Sequence, residues 1–247
     1  MVQLVGILNI TPDSFSDGGL FTDPKLAIKH ANQMFADGAS LIDIGAESTR
    51  PGSKKLRPDE EWQRLEPILH PLLERYPNQL SIDTYHPETA EKVLSMAPCL
   101  INDVTGLGDD KMLDVIVKYH ATYIVCHLPA KDVQIAHSGI LLDDIHEVVA
   151  SLMTKYEVLR AAGLSSDQII LDPGIGFGKT PELNYKLLRF AELVPKHKVM
   201  IGYSRKRFLG ENRMELAANL EAGRIAIAAG AAYIRVHDVA GHRQLLY

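Results

Sequence analysis

The sequence predicts a parallel α/β barrel of eight strands and eight helices, the TIM (β/α)8 type, on three observations. Eight short, β-branched apolar runs recur along the chain, each followed by a helical stretch. The runs are continuously apolar, as strands buried on both faces of a parallel sheet are. Nearly every run also ends on a polar or charged residue, and barrel enzymes build their sites at the C-terminal ends of the strands. A length of 247 residues suits one such barrel. No linker, low-complexity tract or charge block divides the chain, so residues 1–247 read as a single domain.

The elements follow in order. The first run, Leu4–Ile10, reaches Asn9 and opens into Thr11-Pro12-Asp13-Ser14-Phe15-Ser16-Asp17-Gly18-Gly19. A loop that only joins a strand to a helix needs two to six residues and no aromatic. This one reads as a site loop. Pro24–Ala36 is a helix, with Leu26, Ile28, Ala31, Met34 and Phe35 on one stripe. Gly38 stands at its C-cap, before the second run, Ser40–Glu47, which carries Asp43 and Glu47. Pro58-Asp59-Glu60-Glu61 starts the next helix, with proline in the first turn and acids at the positive end of the dipole. The third run, Leu80–Asp83, ends on Asp83, and the fourth, Leu100–Val104, carries Asn102 and Asp103. Thr122–His127 ends on His127, and Gly163 caps the helix before Gln168–Pro173, which contains Asp172. Lys198–Ser204 leads into Lys206, and Ala232–Asp238 presents Arg235 and His237.

Composition narrows the function. With 46% hydrophobic and 23% charged residues the chain can bury a core. A net charge of −5 and the lack of a basic stripe argue against nucleic acid, while local cations still suit a small anionic substrate. Cys99 and Cys126 match no disulfide framework and no metal motif, which points to a reducing compartment. The start carries no basic n-region, and the longest apolar run, Ile225 to Ile234, is too short to span a bilayer. The expectation is a soluble cytoplasmic protein with no membrane partner.

The strand ends carry anion-binding chemistry. Ser204-Arg205-Lys206-Arg207, Arg235-Val236-His237-Asp238 and Ser48-Thr49-Arg50-Pro51-Gly52-Ser53 set cations beside hydroxyls and glycine backbone. Guanidinium forks and fixed N–H donors match phosphate or pyrophosphate oxygens. Cations at a helix start oppose its dipole, so an anion nearby is expected to compensate Lys206. Asp172-Pro173-Gly174-Ile175-Gly176-Phe177-Gly178-Lys179-Thr180 lacks the spacing of a nucleotide phosphate loop. A carboxylate, close-approaching glycines and a Phe suit a flat heteroaromatic ring instead.

Seven stretches, in order, resemble those of the dihydropteroate synthase family. They are residues 6–19 (GILNITPDSFSDGG), 43–53 (DIGAESTRPGS), 81–84 (SIDT), 101–104 (INDV), 171–180 (LDPGIGFGKT), 202–206 (GYSRK) and 234–239 (IRVHDV). The resemblance implies a TIM barrel that joins 4-aminobenzoate to (7,8-dihydropterin-6-yl)methyl diphosphate and releases pyrophosphate. By motif, it implies that Asn9 holds the Mg²⁺ on the diphosphate. Asp83, Asn102, Asp172 and Lys206 would hydrogen-bond the pterin edge, with Phe177 and Gly202 shaping the slot and Arg235 stacking on the ring face. Thr49, Arg50 and His237 would meet the diphosphate, which makes Arg50, Lys206, Arg235 and His237 the catalytic set. Phe15, Ser48 and Pro51 would form the aminobenzoate pocket, where sulfonamides compete in this family.

The chain departs from the family pattern in three places. The fifth strand ends in His127-Leu128-Pro129-Ala130-Lys131-Asp132 where His-Met-x-Gly is usual, so the His is kept and the rest departs. Ala46 stands where a second glycine is usual, which would strain the loop if the position needs a positive φ. The final helix is short, which puts the family's homodimer, built on its last helices, in question. Glu221 and Arg224 on the preceding helix are spaced to pair on the surface. Two further readings are a non-catalytic pterin-binding paralogue, motivated by these departures, and a pterin-dependent methyltransferase, which would not need the loops at 13–19 and 48–52.

Overall fold

The computed structural model describes residues 1–11, 23–49, 52–137 and 139–247. Eight parallel strands close into a barrel in chain order: β1 (Gln3–Asn9), β2 (Leu41–Gly45), β3 (Leu80–Asp83), β4 (Leu100–Asp103), β5 (Thr122–Cys126), β6 (Ile169–Asp172), β7 (Lys198–Ile201) and β8 (Tyr233–Val236). Strand β8 pairs back onto β1 through Val5 and Arg235. Several strands stop short of the apolar runs predicted, so Glu47, His127, Ser204 and His237 lie on the loops just beyond them.

The helices begin where the sequence marks them. Helix α1 (Pro24–Ala36) has proline in its first turn, and Asp23 accepts from the Lys25 amide at 2.9 Å. Helix α2 (Pro58–Arg75) carries its acids in the first turn. Helices α3 (Pro87–Met96), α4 (Asp110–Tyr119), α5 (Val133–Ala136), α6 (Ile145–Ala161), α7 (Pro181–Lys186), α8 (Leu216–Ala228) and α9 (Val239–His242) follow. Asp109, Asp132, Asp144 and Asp238 accept from first-turn amides, as N-caps do. These caps are a different set from the strand-end carboxylates Asp43, Asp83 and Asp172. The last helix is a single turn, continued by a 3₁₀ turn at Arg243–Leu246. Among the described residues no helix is long and apolar enough to cross a membrane.

Strand alternation builds two cores. Ile42, Ile44, Ile82, Ile101, Tyr123, Leu171, Val199, Ile201 and Ile234 pack under the helices. Val5, Leu41, Ile124, Ile170 and Met200 form a separate cluster, flanked by Leu100 and Tyr233. That second cluster is the plug of the barrel. Residues two apart on a strand face the same side, so the next layer up holds Ile7, Asp43, Asn102, Cys126, Asp172, Gly202 and Arg235. One step along the same strands turns a sealed apolar layer into a charged one.

Candidate active site

Above the plug the strand ends surround a cavity of about 830 Å³. Nine of the residues singled out from the sequence line it: Asn9, Ser48, Thr49, Asp83, Phe177, Gly202, Lys206, Arg235 and His237. Asn102 and Asp172 are buried in the layer beneath. Phe15, Arg50 and Pro51, and all of the first loop beyond Thr11, lie outside the described residues.

The floor is organised by Asp43, a residue the sequence marked as a strand-end acid without assigning it a role. It is 2% exposed and accepts three hydrogen bonds, from Ser81 Oγ at 2.6 Å, Asn102 Nδ2 at 2.9 Å and Arg235 Nη1 at 2.6 Å. The same Arg235 nitrogen lies 3.2 Å from Asp83 Oδ2. Burial and the Asp43 charge hold the Asp83 carboxyl above the usual carboxylate range, against the pull of Arg235. Burial alone would lower the Arg235 guanidinium, but Asp43, Asp83 and Asp172 outweigh it and keep the cation charged. Arg235 Nε has no hydrogen-bond partner among the described residues. Against this edge lies Gly202, where an added Cβ would sit 3.4 Å from that nitrogen. A flat ring can approach the guanidinium face there because position 202 has no side chain.

The wall opposite is the loop after β6. Asp172 Oδ1 accepts from the Gly174 amide at 2.7 Å, which turns the chain sharply at the strand end. Gly174 has φ +65°, and a Cβ there would stand 2.0 Å from the His127 carbonyl oxygen, so only glycine fits. The loop lays Phe177 beside Lys206, with Nζ 5.2 Å from the ring centroid, and Lys206 Nζ donates to the Ile175 carbonyl. Burial lowers the Lys206 ammonium to about 8, while Asp172 pulls the other way. Asp172 is thus one negative charge that acts on Lys206, the kind of anion expected beside it. His237 completes the rim, its Nδ1 3.0 Å from Ser204 Oγ, and Arg207 lines the cavity beside it.

The loop after β2 is fastened to the segment after β5. Glu47 accepts from Tyr85 Oη at 2.6 Å and from the Leu56 amide at 2.8 Å, anchoring the loop at both ends. Gln134 accepts from the Gly52 amide at 3.1 Å and donates to Ser53 Oγ at 3.1 Å. His137 Nε2 meets the Thr49 carbonyl at 2.9 Å, and Lys55 pairs with Asp132. The unusual segment after β5 thus supplies the bonds that hold Ser48 and Thr49 at the cavity. His127 is 3% exposed, and burial together with Lys179 and Lys155 pushes its imidazole down to about 3.

Two further expectations resolve here. Ala46 is fully buried and is not among the positive-φ residues, so the missing glycine strains nothing. Glu221 and Arg224 pair at 3.4 Å on the surface of α8. Asp103, which the sequence set beside Asn102 as strand-end chemistry, is structural: it accepts from the Thr105 and Leu107 amides and ties down Tyr123.

A barrel with this mouth, cationic around a slot walled by Phe177, matches known proteins over almost its whole length. The model of the pterin binding enzyme family matches residues 5–237, and the chain belongs to that family. A dihydropteroate synthase of Clostridium beijerinckii is 37% identical over 96% of this chain and 88% of its own. The Yersinia pestis dihydropteroate synthase, solved as a sulfonamide drug complex, superposes with a TM-score of 0.91 at 33% identity, over 98% of this chain and 91% of that one. The Thermus thermophilus enzyme, solved with 4-aminobenzoate, gives 0.86 at 36% identity, over 99% and 92%. The reaction of this chain is that of the dihydropteroate synthases: condensation of (7,8-dihydropterin-6-yl)methyl diphosphate with 4-aminobenzoate to dihydropteroate and pyrophosphate.

Proposed function

We propose that the pterin ring lies between the Arg235 guanidinium and the Gly174–Phe177 loop, with its polar edge toward Asp83, Asn102, Asp172 and Lys206. The observation that carries this is the Asp43–Arg235–Asp83 array, which fixes a charged plane whose Nε and open face adjoin Gly202. A cation over a π-system is favourable, more so when desolvated. Thr49, Ser204 and His237 on the rim meet the diphosphate, with Arg50 from the same β2 loop as the further cation.

Reaction breaks the bond between the pterin methylene and the diphosphate oxygen, and the bonding electrons leave with pyrophosphate. Positive charge grows on the pterin, where Asp172 and Asp83 face it. Negative charge grows on the leaving group, where His237 on the rim and the Arg50 cation would stabilise it. Fixed charges placed where charge develops are the largest catalytic contribution in such sites. The 4-aminobenzoate nitrogen then forms the new C–N bond and releases a proton to solvent, so no strong base is needed. Ser48, Phe15, Pro51 and Arg207 form the aminobenzoate side, and a sulfonamide, which mimics that substrate, competes there.

Asn9 lines the cavity at the end of β1, and among the described residues no group of three His, Cys, Asp or Glu could hold a metal. One neutral oxygen suits Mg²⁺, which keeps its waters and takes most of its ligands from substrate phosphates. Asn9 would hold that ion, which supplies charge neutralisation of the leaving pyrophosphate. Buried, unpaired Cys99 and Cys126, with thiols pushed up to about 12 by burial, fit a reducing cytoplasm.

Pyrophosphate release by the purified protein tests the reading. It is expected to require both substrates, to stop with EDTA and to resume with Mg²⁺. Asn9→Ala should raise the Mg²⁺ concentration needed for half-maximal rate by about tenfold, the effect of losing one charged-group contact. Metal-independent release would contradict the Asn9 assignment. Tight pterin binding without release would favour the non-catalytic reading.

A further inference from the structure

Lys179 has no part in the chemistry above, yet it is only 5% exposed. Among the described residues no carboxylate pairs with it. Its Nζ instead donates to three backbone carbonyls: Gly174 at 2.8 Å, Phe177 at 3.0 Å and His127 at 3.3 Å. Three converging carbonyl dipoles repel one another, and a buried ammonium is the group that holds them together. Burial lowers that ammonium to about 7, against the pull of the Asp172 carboxylate and with Lys206 and Lys155 adding to the effect. A methionine would fill the same volume without that desolvation penalty. The charge is therefore retained for what it holds.

It holds the pterin wall. Gly174 and Phe177 bracket Ile175, whose carbonyl receives Lys206 Nζ, and Gly176, where an added Cβ would stand 3.2 Å from Lys206 Cδ. The loop has little regular structure of its own, with positive φ at Gly174, Gly176 and Gly178. Asn184 holds it from the other side: its Oδ1 accepts from the Gly176 amide at 2.6 Å, and its Nδ2 donates to the Lys179 carbonyl at 3.1 Å. Side chain and backbone of one residue thus fix both ends of the segment that carries Phe177 and seats Lys206.

We propose that Lys179 is a positioning residue for the pterin substrate, clamping the Gly174–Phe177 loop so that the Phe177 ring and Lys206 are set before the ring arrives. The proposal rests on the placement of the pterin given above. It is tested with Lys179→Met, measuring steady-state kinetics against each substrate, calorimetric binding of 6-hydroxymethyl-7,8-dihydropterin, and thermal unfolding. The expected result is a loss of about 10- to 100-fold in pterin affinity and in kcat/KM for the pterin substrate, the scale of a hydrogen bond to a charged group. The KM for 4-aminobenzoate should stay within about twofold, because its pocket is built on other loops. Lys179→Arg, which keeps the charge and donors, should recover part of the pterin affinity. Should Lys179→Met not fold, Lys179→Gln, which donates without charge, gives the same comparison. A folded variant with unchanged pterin affinity, or one in which both KM values rise together with a lowered Tm, would overturn the proposal. Lys206→Met serves as the control. If it loses pterin affinity while Lys179→Met does not, the positioning role alone fails; if neither does, the ring has been placed in the wrong slot.

Discussion

The barrel plug and the barrel mouth are made by the same strands, two residues apart, and they have opposite chemistry. Leu41 is followed by Asp43, Leu100 by Asn102, Ile170 by Asp172 and Tyr233 by Arg235. The lower layer is built of apolar side chains that are interchangeable in kind. In the upper layer the polar side chains have specific partners, and Asp43 alone gathers Ser81, Asn102 and Arg235. The plug excludes water from below, which strengthens the electrostatics above it. Stability and reactivity are therefore separable along one strand, and substitutions in the two layers should read out differently.

The largest effect is expected in the upper layer. Lys206→Ala and Arg235→Ala should each lower kcat/KM for the pterin substrate by about 100-fold or more, through loss of charge-assisted contacts in a partly dry pocket. Steady-state pyrophosphate release measures it. In the lower layer Ile124→Ala should leave kcat/KM within about threefold at temperatures where the protein is folded. It should instead destabilise the protein by about 2–5 kcal/mol, the range for deleting a buried Ile side chain, read from urea unfolding. A plug substitution that removed activity without loss of stability would erase the distinction between the layers.

Asp43→Asn sharpens it, with an expected loss of about tenfold in kcat/KM, the scale of one charge-assisted hydrogen bond. The Asp83 carboxyl should fall toward its ordinary range, because the Asp43 charge is one of the two groups raising it. Carbon NMR titration of Asp83 would show the shift. An unmoved Asp83 would mean that burial and the Glu61 charge suffice to raise it.

The smallest effect is on pH. Pterin affinity should weaken as pH rises through about 8, where Lys206 loses its proton, and this step should be missing in Lys206→Met. Its contribution to stability runs the other way. The folded-state value lies below the ordinary lysine value, so the burial penalty is complete below about 8 and is relieved as pH rises toward the unfolded value. Calorimetric titrations and urea midpoints across the same pH range should therefore move in opposite directions.

The sequence made the barrel and most of the mouth legible because period and position carry them. Continuous apolar runs identify inward strands, and their terminal residues are those that converge, so nine of the site residues line one cavity. Partnership was not legible. Asp43, Asp103 and Asp172 look alike as strand-end carboxylates, yet the first organises Arg235, the second holds a turn and the third starts the loop after β6. Only packing across the barrel separates them, since Asp43 and Arg235 are 192 residues apart. Lys179 was hidden for a similar reason: in sequence it ends a glycine loop that resembles a phosphate binder, whereas its acceptors are backbone carbonyls, which no residue pattern displays. The segment after β5 read as a departure because what it does depends on a partner far along the chain: Asp132 pairs with Lys55, and Gln134 and His137 just beyond it bond the β2 loop.

The most direct measurement sets Arg235→Ala beside Ile124→Ala, with kcat/KM for the pterin substrate and the urea unfolding free energy determined for each. Arg235→Ala is expected to lose about 100-fold or more in kcat/KM, while Ile124→Ala loses chiefly stability. Near-normal turnover by folded Arg235→Ala would contradict it, because the array at the centre of the mouth would then not be the site of the reaction.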